Sequence, residues 1–145
     1  MKSSHRSIRI ADVMASGDPR PSAVLFTDLT DIRWLTGFSG SNGWLLFRPD
    51  RQYLLTDGRY TEQAEDQVKK SGTDTEVITC TTGSDMRRKL SALLRPGDRL
   101  WFQAGNISVS THREISSVVP DGVLLVEAPS PLAEIRRIKD ASETE

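Results

Sequence analysis

Two apolar runs of strand type, Trp44 to Phe47 and Gln52 to Thr56, are separated by only four residues. The linking residues are polar, and Pro49 among them is placed for a tight turn. Two strand-like runs joined by so short a link predict a β-hairpin. Any fold for this chain must therefore contain an antiparallel pair of strands.

The rest of the chain alternates between segments of strand type and segments of helix type. The apolar spacing predicts strands at 23–26, 76–80, 99–102 and 123–127, and helices at 5–15, 59–70, 84–94 and 108–118. Residues 29–36 are expected to form one turn of helix at most. Such alternation predicts an α/β domain with a mixed sheet and helices on its faces, the hairpin supplying the antiparallel part.

Several residues are expected to begin or end these helices. Thr27 and Asp28 offer capping oxygens to the short segment 29–36, and Asp57 is placed to cap the helix at 59–70. Gly72 lies where that helix should end, and Ser84 or Asp85 should cap the helix at 84–94.

The end of the chain differs in composition from the rest. Residues 132–145 are helix-prone and highly charged, and Leu132, Ile135 and Ile138 form a narrow apolar stripe that needs a surface to pack on. We therefore divide the chain into a domain at 1–131 and the start of a helix at 132–145 that leads into a second domain.

Composition excludes several classes of protein. The chain has 145 residues with 19 basic and 20 acidic side chains, so nothing indicates a nucleic-acid or membrane surface. Its apolar runs are far shorter than the roughly 20 residues that span a bilayer. The N-terminus has no apolar segment of signal-peptide type. Cys80 is the only cysteine, which fits a reducing compartment and predicts a cytoplasmic protein.

The stretch TGFSGSNGWLLF, residues 36–47, is rich in glycine but matches no phosphate-binding motif. Gly37, Gly40 and Gly43 are each three residues apart, no lysine follows, and the stretch leads into a strand instead of a helix. We expect the glycines and Asn42 to supply turn conformations with positive φ and to allow close packing of the backbone.

The residues that could carry chemistry are dispersed. His5, His112 and Cys80 lie far apart in the sequence and form no metal-binding motif. Ser39 and Ser41 lack the nucleophile-elbow spacing, and no histidine has a persuasive partner. The sequence therefore predicts neither a catalytic residue nor a metal ligand in this chain.

The stretch Asp57-Gly58-Arg59-Tyr60 joins a predicted strand to a predicted helix. Arg59 could bind the carboxylate of a ligand or partner, or it could form a structural salt bridge beside the capped helix. The aromatic residues Trp34, Phe38 and Trp44 are expected first in the core or an interface, and second as walls of a site.

Two stretches closely resemble the N-terminal domain of the Xaa-Pro peptidases, the family of creatinase, prolidase and aminopeptidase P. They are TDIRWLTGFSGSNGWLLF at 30–47 and YLLTDGRYTEQA at 53–64. The tail IRRIKDASETE resembles the family's connection into its catalytic domain. The chain departs from the family pattern at Asp31, where Asn is common, at Trp34, where Tyr is common, and at 102–105, where a G-x-E element is usual.

The resemblance implies a fold similar to ribonuclease H, with a mixed sheet of about five or six strands. It implies a non-catalytic domain that helps to form a dimer or tetramer and limits access of proline-containing peptides to a neighbouring active site. The residues implied to face substrate are Arg33, Trp34, Phe38, Ser39, Gly40, Ser41, Asn42 and Arg59.

The resemblance also implies that the parent enzyme is a hydrolase that cleaves X-Pro bonds with two divalent ions, Mn²⁺, Co²⁺ or Zn²⁺. Their ligands would lie in a C-terminal metallopeptidase domain downstream of residue 145, and this chain needs no cofactor of its own. Two alternatives stay open. One is a peptide- or protein-binding module of a catalytically inactive relative, and the other is the N-terminal domain of a creatinase.

Overall fold

The computed structural model of the chain describes residues 5–137. The strands are β1 (Ala23–Phe26), β2 (Gly43–Arg48), β3 (Arg51–Asp57), β4 (Thr75–Cys80), β5 (Arg99–Phe102) and β6 (Leu124–Glu127). The helices are α1 (His5–Ala15), α2 (Leu29–Thr36), α3 (Thr61–Ser71), α4 (Gly83–Ala92), α5 (Val109–Val118) and α6 (Ser130–Ala133). Short 3-10 turns lie at Ala104–Asn106 and Ile135–Arg137.

The six strands form one mixed sheet in the order β4-β3-β2-β1-β5-β6. Strand β2 runs antiparallel to β1 and β3, whereas the other neighbouring strands are parallel. The predicted hairpin is therefore confirmed. The carboxyl ends of β1, β3, β4, β5 and β6 all lie at one edge of the sheet, together with the amino end of β2. We call this the carboxyl edge.

Apolar side chains alternate between the two faces of the sheet, and helices cover both faces. In β1, Val24 and Phe26 belong to a buried cluster that includes residues of α1, α2, α3 and α6. Ala23 and Leu25 belong to a second cluster with residues of α4 and α5. The expectation of a mixed α/β sheet with helices on both faces is confirmed. Burial of a side chain such as Phe26 contributes about 1.5–3 kcal/mol to the free energy of folding.

Helix α2 is longer than the single turn expected from the sequence. It spans eight residues, Leu29–Thr36, because both of its ends are capped. The side chain of Asp28 accepts a hydrogen bond from the N–H of Thr30 at 2.9 Å, as expected, and the N–H of Gly37 bonds the carbonyl of Arg33 at 2.8 Å. Burial of Ile32 and Leu35 then holds the helix on the sheet.

Two other helix starts differ from the sequence prediction. Helix α4 is capped by Thr82, whose hydroxyl accepts from the N–H of Asp85 at 3.0 Å, and neither Ser84 nor Asp85 is the cap. Helix α3 begins after Tyr60 without any side-chain cap, so Asp57 does not cap it. Its predicted end at Gly72 is confirmed.

The end of the described chain packs on the domain itself. Leu132 and Ile135, two of the three residues of the predicted stripe, are buried in the same cluster as Ile10 and Met14 of α1. The short helix α6 and the 3-10 turn at Ile135–Arg137 occupy the start of the segment where one long helix was expected, at 132–145. The remainder of that segment lies outside the described residues. The division of the chain at residue 131 stays a prediction.

Candidate functional site

The loop at residues 37–42, here called the edge loop, lies at the carboxyl edge beside the start of α3. The hairpin register causes this, because the first residue of β2 pairs with Thr56 near the end of β3. Asn42 Nδ2 donates a hydrogen bond to Asp57 Oδ2 at 2.8 Å, and the hydroxyls of Ser41 and Tyr60 lie 2.5 Å apart. The two stretches that carry the family resemblance therefore form one structural unit.

Ser39 joins the edge loop to the side of α3. Its N–H donates to Gln67 Oε1 at 3.0 Å, and its hydroxyl accepts from Gln67 Nε2 at 2.8 Å and from Gln63 Nε2 at 3.2 Å. Gln63 and Gln67 are four residues apart on the helix, so both amides reach the same hydroxyl. Sequence reasoning missed this pair, although its spacing on one helix face is a usable signal.

Only one glycine of this stretch has the backbone conformation that we expected. Gly37 has φ of +82°, whereas Gly40, Gly43 and Asn42 do not have positive φ. A Cβ atom at Gly40 or Gly43 would lie 2.2 or 3.0 Å from the nearest ring atom of Phe38. These two glycines therefore provide space for a buried ring and do not supply turn geometry.

The Phe38 ring supports the edge loop from the core. It is 1% exposed and makes an edge-to-face contact with Tyr60 at a centroid distance of 6.0 Å. In this domain the ring does not reach the surface, in contrast to the expectation that it faces a substrate. The exposed residues of the loop are Ser39, Ser41 and Asn42.

Arg59 forms an ion pair with Asp57, two residues before it. Its Nε and Nη2 donate to the two carboxylate oxygens at 3.1 and 3.0 Å, and its N–H also bonds Asp57 Oδ1 at 3.0 Å. The Arg59 side chain is 73% exposed and lies 5.1 Å over the ring of Tyr60. The structural salt bridge considered in the sequence is thus present, while ligand binding by Arg59 stays a prediction.

The contacts with Arg59 and Asn42 favour the ionised form of the Asp57 carboxylate. The Arg59 guanidinium, and after it the Asn42 amide, hold the pKa of Asp57 far below its usual range. The same pairing raises the pKa of Arg59. Asp57 therefore remains ionised near neutral pH and is unsuited to act as a general acid.

Arg33 and Trp34 lie on α2, and Trp34 contacts two arginines of α1. The guanidinium groups of Arg6 and Arg9 lie 5.0 and 5.1 Å from the centroid of the half-buried Trp34 ring, and Arg6 Nη1 donates to the Trp34 carbonyl at 2.7 Å. Arg33 is exposed. Neither residue contributes to the cleft described next.

A cleft of about 690 Å³ opens at the carboxyl ends of β3 and β4. Two of the predicted residues, Asn42 and Arg59, lie on its wall, together with Trp44, Met86 and Arg87. In open α/β sheets, ligands commonly bind outside the carboxyl ends of strands. Met86 and Arg87 could not be predicted at this place, because they come from a helix more than 25 residues further along the chain.

The cleft contains no activated nucleophile among its described residues. Cys80 is 2% exposed, and burial raises the pKa of its thiol. It is therefore protonated near neutral pH and a weak nucleophile. Within residues 5–137, no three His, Cys, Asp or Glu side chains converge in a way that could hold a metal ion. The two-metal centre implied by the resemblance is assigned to none of these residues.

None of the helices within residues 5–137 has the length and apolar character needed to cross a bilayer.

The family model for the creatinase/prolidase N-terminal domain matches residues 13–138 of the chain. The uncharacterized peptidase YqhT of Bacillus subtilis is 34% identical over 121 residues, which cover 83% of this chain and 33% of YqhT. The N-terminal, creatinase/prolidase-like domain of a Corynebacterium diphtheriae protein is 31% identical, with a TM-score of 0.70, covering 84% of this chain and 94% of that domain.

The fold also occurs in a longer enzyme. The Xaa-Pro dipeptidase of Bacillus anthracis has a TM-score of 0.77 at 18% identity, over 96% of this chain and 37% of that protein. At that identity the likeness shows the fold alone. The chain spans about a third of the length of YqhT, the first of its curated relatives.

Proposed function

The chain belongs to the family of creatinase/prolidase N-terminal domains, and on this premise we propose that it is the non-catalytic N-terminal domain of a metal-dependent Xaa-Pro aminopeptidase or dipeptidase. In this role the domain contributes to oligomerisation and to control of substrate access. The longer enzyme hydrolyses X-Pro bonds with two divalent ions, Mn²⁺, Co²⁺ or Zn²⁺, held by residues outside this chain. The lone Cys80 supports a cytoplasmic location.

The observation that carries this proposal is the fixed edge loop. Its three exposed side chains, Ser39, Ser41 and Asn42, have hydrogen-bond partners on α3, in the turn before α3 and at the end of β3, respectively. The loop is polar, uncharged and without a reactive group. A surface of this kind can restrict the shape of a peptide that reaches a neighbouring active site, because hydrogen bonds hold its side chains in place.

Arg59 adds a charged group beside this surface. Its Nε and Nη2 are used by Asp57, and within residues 5–137 no contact uses its Nη1 group. This nitrogen is therefore open to a carbonyl or carboxylate of a peptide. Arg59 also lines the cleft, and Asp57 connects it to Asn42 of the edge loop.

Oligomerisation is tested by light scattering on residues 1–145 over a range of concentrations. The proposal predicts a mass of at least twice the 16.1 kDa of the chain at high concentration. A mass of one chain at every concentration would contradict assembly through this domain.

Substrate access is tested in the longer enzyme with Ser41→Trp, which adds bulk to the edge loop. We expect kcat/KM to change for a long proline-containing peptide and to stay unchanged for a dipeptide. Ser110→Trp, at an exposed position on α5, is the matched control. Equal effects of Ser41→Trp on both substrates would argue against a role in access.

The cleft supports a second candidate function, a peptide-binding module. It combines the apolar groups of Trp44 and Met86 with the guanidinium groups of Arg59 and Arg87, and a peptide offers partners for both. Calorimetric titration of residues 1–145 with a proline-containing peptide distinguishes a peptide-binding module from a domain that acts only within the longer enzyme. Saturable binding that Trp44→Ala abolishes would favour the module, and an absence of heat would favour a domain that acts only within the longer enzyme.

A further inference from the structure

The last described residues, 130–137, pack on the domain through both apolar and polar contacts. Leu132 and Ile135 are 1% and 7% exposed. Arg9 Nη2, from α1, donates a hydrogen bond to the carbonyl of Ile135 at 2.6 Å. This segment is therefore part of the packed structure.

Arg136, the residue after Ile135, forms an ion pair with the buried carboxylate of Asp31. Asp31 lies in the first turn of α2, with its side chain 5% exposed. Its Oδ1 is the ion-pair partner of Arg136 Nε, and its Oδ2 accepts from Gln103 Nε2 at 2.6 Å. Arg136 Nη2 also lies 3.9 Å from Asp28 Oδ2. The guanidinium thus contacts two carboxylates at the start of α2.

Gln103 keeps the Asp31 carboxylate in place. Its Oε1 accepts hydrogen bonds from the backbone N–H groups of Thr27 and Asp28 at 2.8 and 2.9 Å. Because these bonds fix which end of the amide is the acceptor, the NH₂ group must point toward Asp31. Asp31 cannot turn to solvent without breaking this network.

The cost of releasing Arg136 follows from this arrangement. Arg136 is the only cation paired with Asp31 among residues 5–137. If it left, the buried carboxylate would keep one neutral amide and the start of α2 as its favourable surroundings. A buried charge that loses its partner is strongly destabilised, so the attached state is favoured.

We propose that Asp31 and Arg136 form a latch that fixes the direction in which the chain leaves the domain. The described end of the chain, at Ile135–Arg137, is then held beside the start of α2, and α2 leads directly into the edge loop. This latch does not depend on the proposed function. It assigns a role to Asp31 and to Gln103, which lie at two of the three places where the sequence departs from the family pattern.

Hydrogen exchange measured by mass spectrometry on residues 1–145 tests the latch. Asp31→Asn keeps the shape of the side chain and an acceptor for Gln103 but removes the charge, and Arg136→Gln removes the partner. Each variant should increase amide exchange in residues 131–137 about tenfold, the size expected for loss of a charge-assisted hydrogen bond. Asp121→Asn, in an exposed turn, is the control and should exchange like wild type.

The pattern of exchange decides the outcome. The latch predicts that the acceleration is confined to residues 131–137 and the first turn of α2, and that the double variant exchanges no faster than either single variant. Wild-type exchange of residues 131–137 in both single variants would overturn it. Equal acceleration throughout the sheet, with a lowered Tm, would also overturn it, because Asp31 would then be a general core residue.

Discussion

Asn42 donates a hydrogen bond to Asp57, and Asp57 also accepts hydrogen bonds from Nε and Nη2 of Arg59. One carboxylate therefore joins the edge loop, the end of β3 and the turn that leads into α3. Polar residues from the two stretches that carry the family resemblance are therefore hydrogen-bonded to each other, although 15 positions separate Asn42 from Asp57.

Replacing Asn42 with Asp should destabilise the domain at about pH 7. The new carboxylate would face Asp57 at the position of the present 2.8 Å hydrogen bond, and two like charges repel. The urea midpoint of unfolding should fall, and the loss should shrink toward about pH 3 as the new carboxyl becomes protonated. Asn106→Asp, at an exposed position, is the control. A pH-independent loss would contradict the charge explanation.

Gly40→Ala should lower the free energy of unfolding by about 1–3 kcal/mol, the usual cost of overpacking a core. The added Cβ would lie 2.2 Å from Phe38 Cζ, so the buried ring must move. Gly105→Ala is the matched control, because nothing lies within 4 Å of its Cβ position. Equal urea midpoints for the two variants would show that Gly40 does not serve to make room for the ring.

The stability of the domain should depend on the charge of Asp57 in acid. Its pKa is lowered by Arg59 and Asn42, so its contribution is present above the unfolded-state pKa of about 3.9 and is lost as the pH falls through the lower folded-state value. Asp57→Asn removes this contribution. Urea midpoints measured from about pH 7 to about pH 2 should therefore fall more steeply for wild type than for the variant. Parallel curves would count against the ion pair.

Thr82→Ala should cost about 0.5–2 kcal/mol of unfolding free energy, because it removes the side chain that caps α4. Ser84→Ala, two residues along the chain, tests the position first expected from the sequence and should change stability little. Thermal unfolding of the two variants gives the comparison. A larger effect at Ser84 would place the cap where the sequence analysis had it.

Much of the fold could be predicted because strands and helices follow local apolar spacing. The hairpin, the mixed sheet and the family are confirmed. The length of α2 was missed because its stability comes from Asp28 and Gly37 at its ends together with burial of Ile32 and Leu35. Such tertiary support is not visible in an eight-residue segment.

The candidate site was only partly predictable for a similar reason. Ser39, Ser41 and Asn42 do lie at the surface, but the burial of Phe38 depends on the space above it that Gly40 leaves open. The role of Gln103 depends on strands that are distant in sequence and adjacent in the sheet. Contacts of this kind are set by topology, which local patterns do not encode.

Hydrolysis of an Xaa-Pro dipeptide, measured for residues 1–145 and for the longer protein that carries this domain, is the most direct test of the proposed function. Both are assayed with Mn²⁺, Co²⁺ and Zn²⁺ in turn. We predict turnover by the longer protein with at least one of the ions and none by residues 1–145. Turnover by residues 1–145, or inactivity of the longer protein with all three ions, would contradict the assignment of a non-catalytic domain in a metal-dependent peptidase.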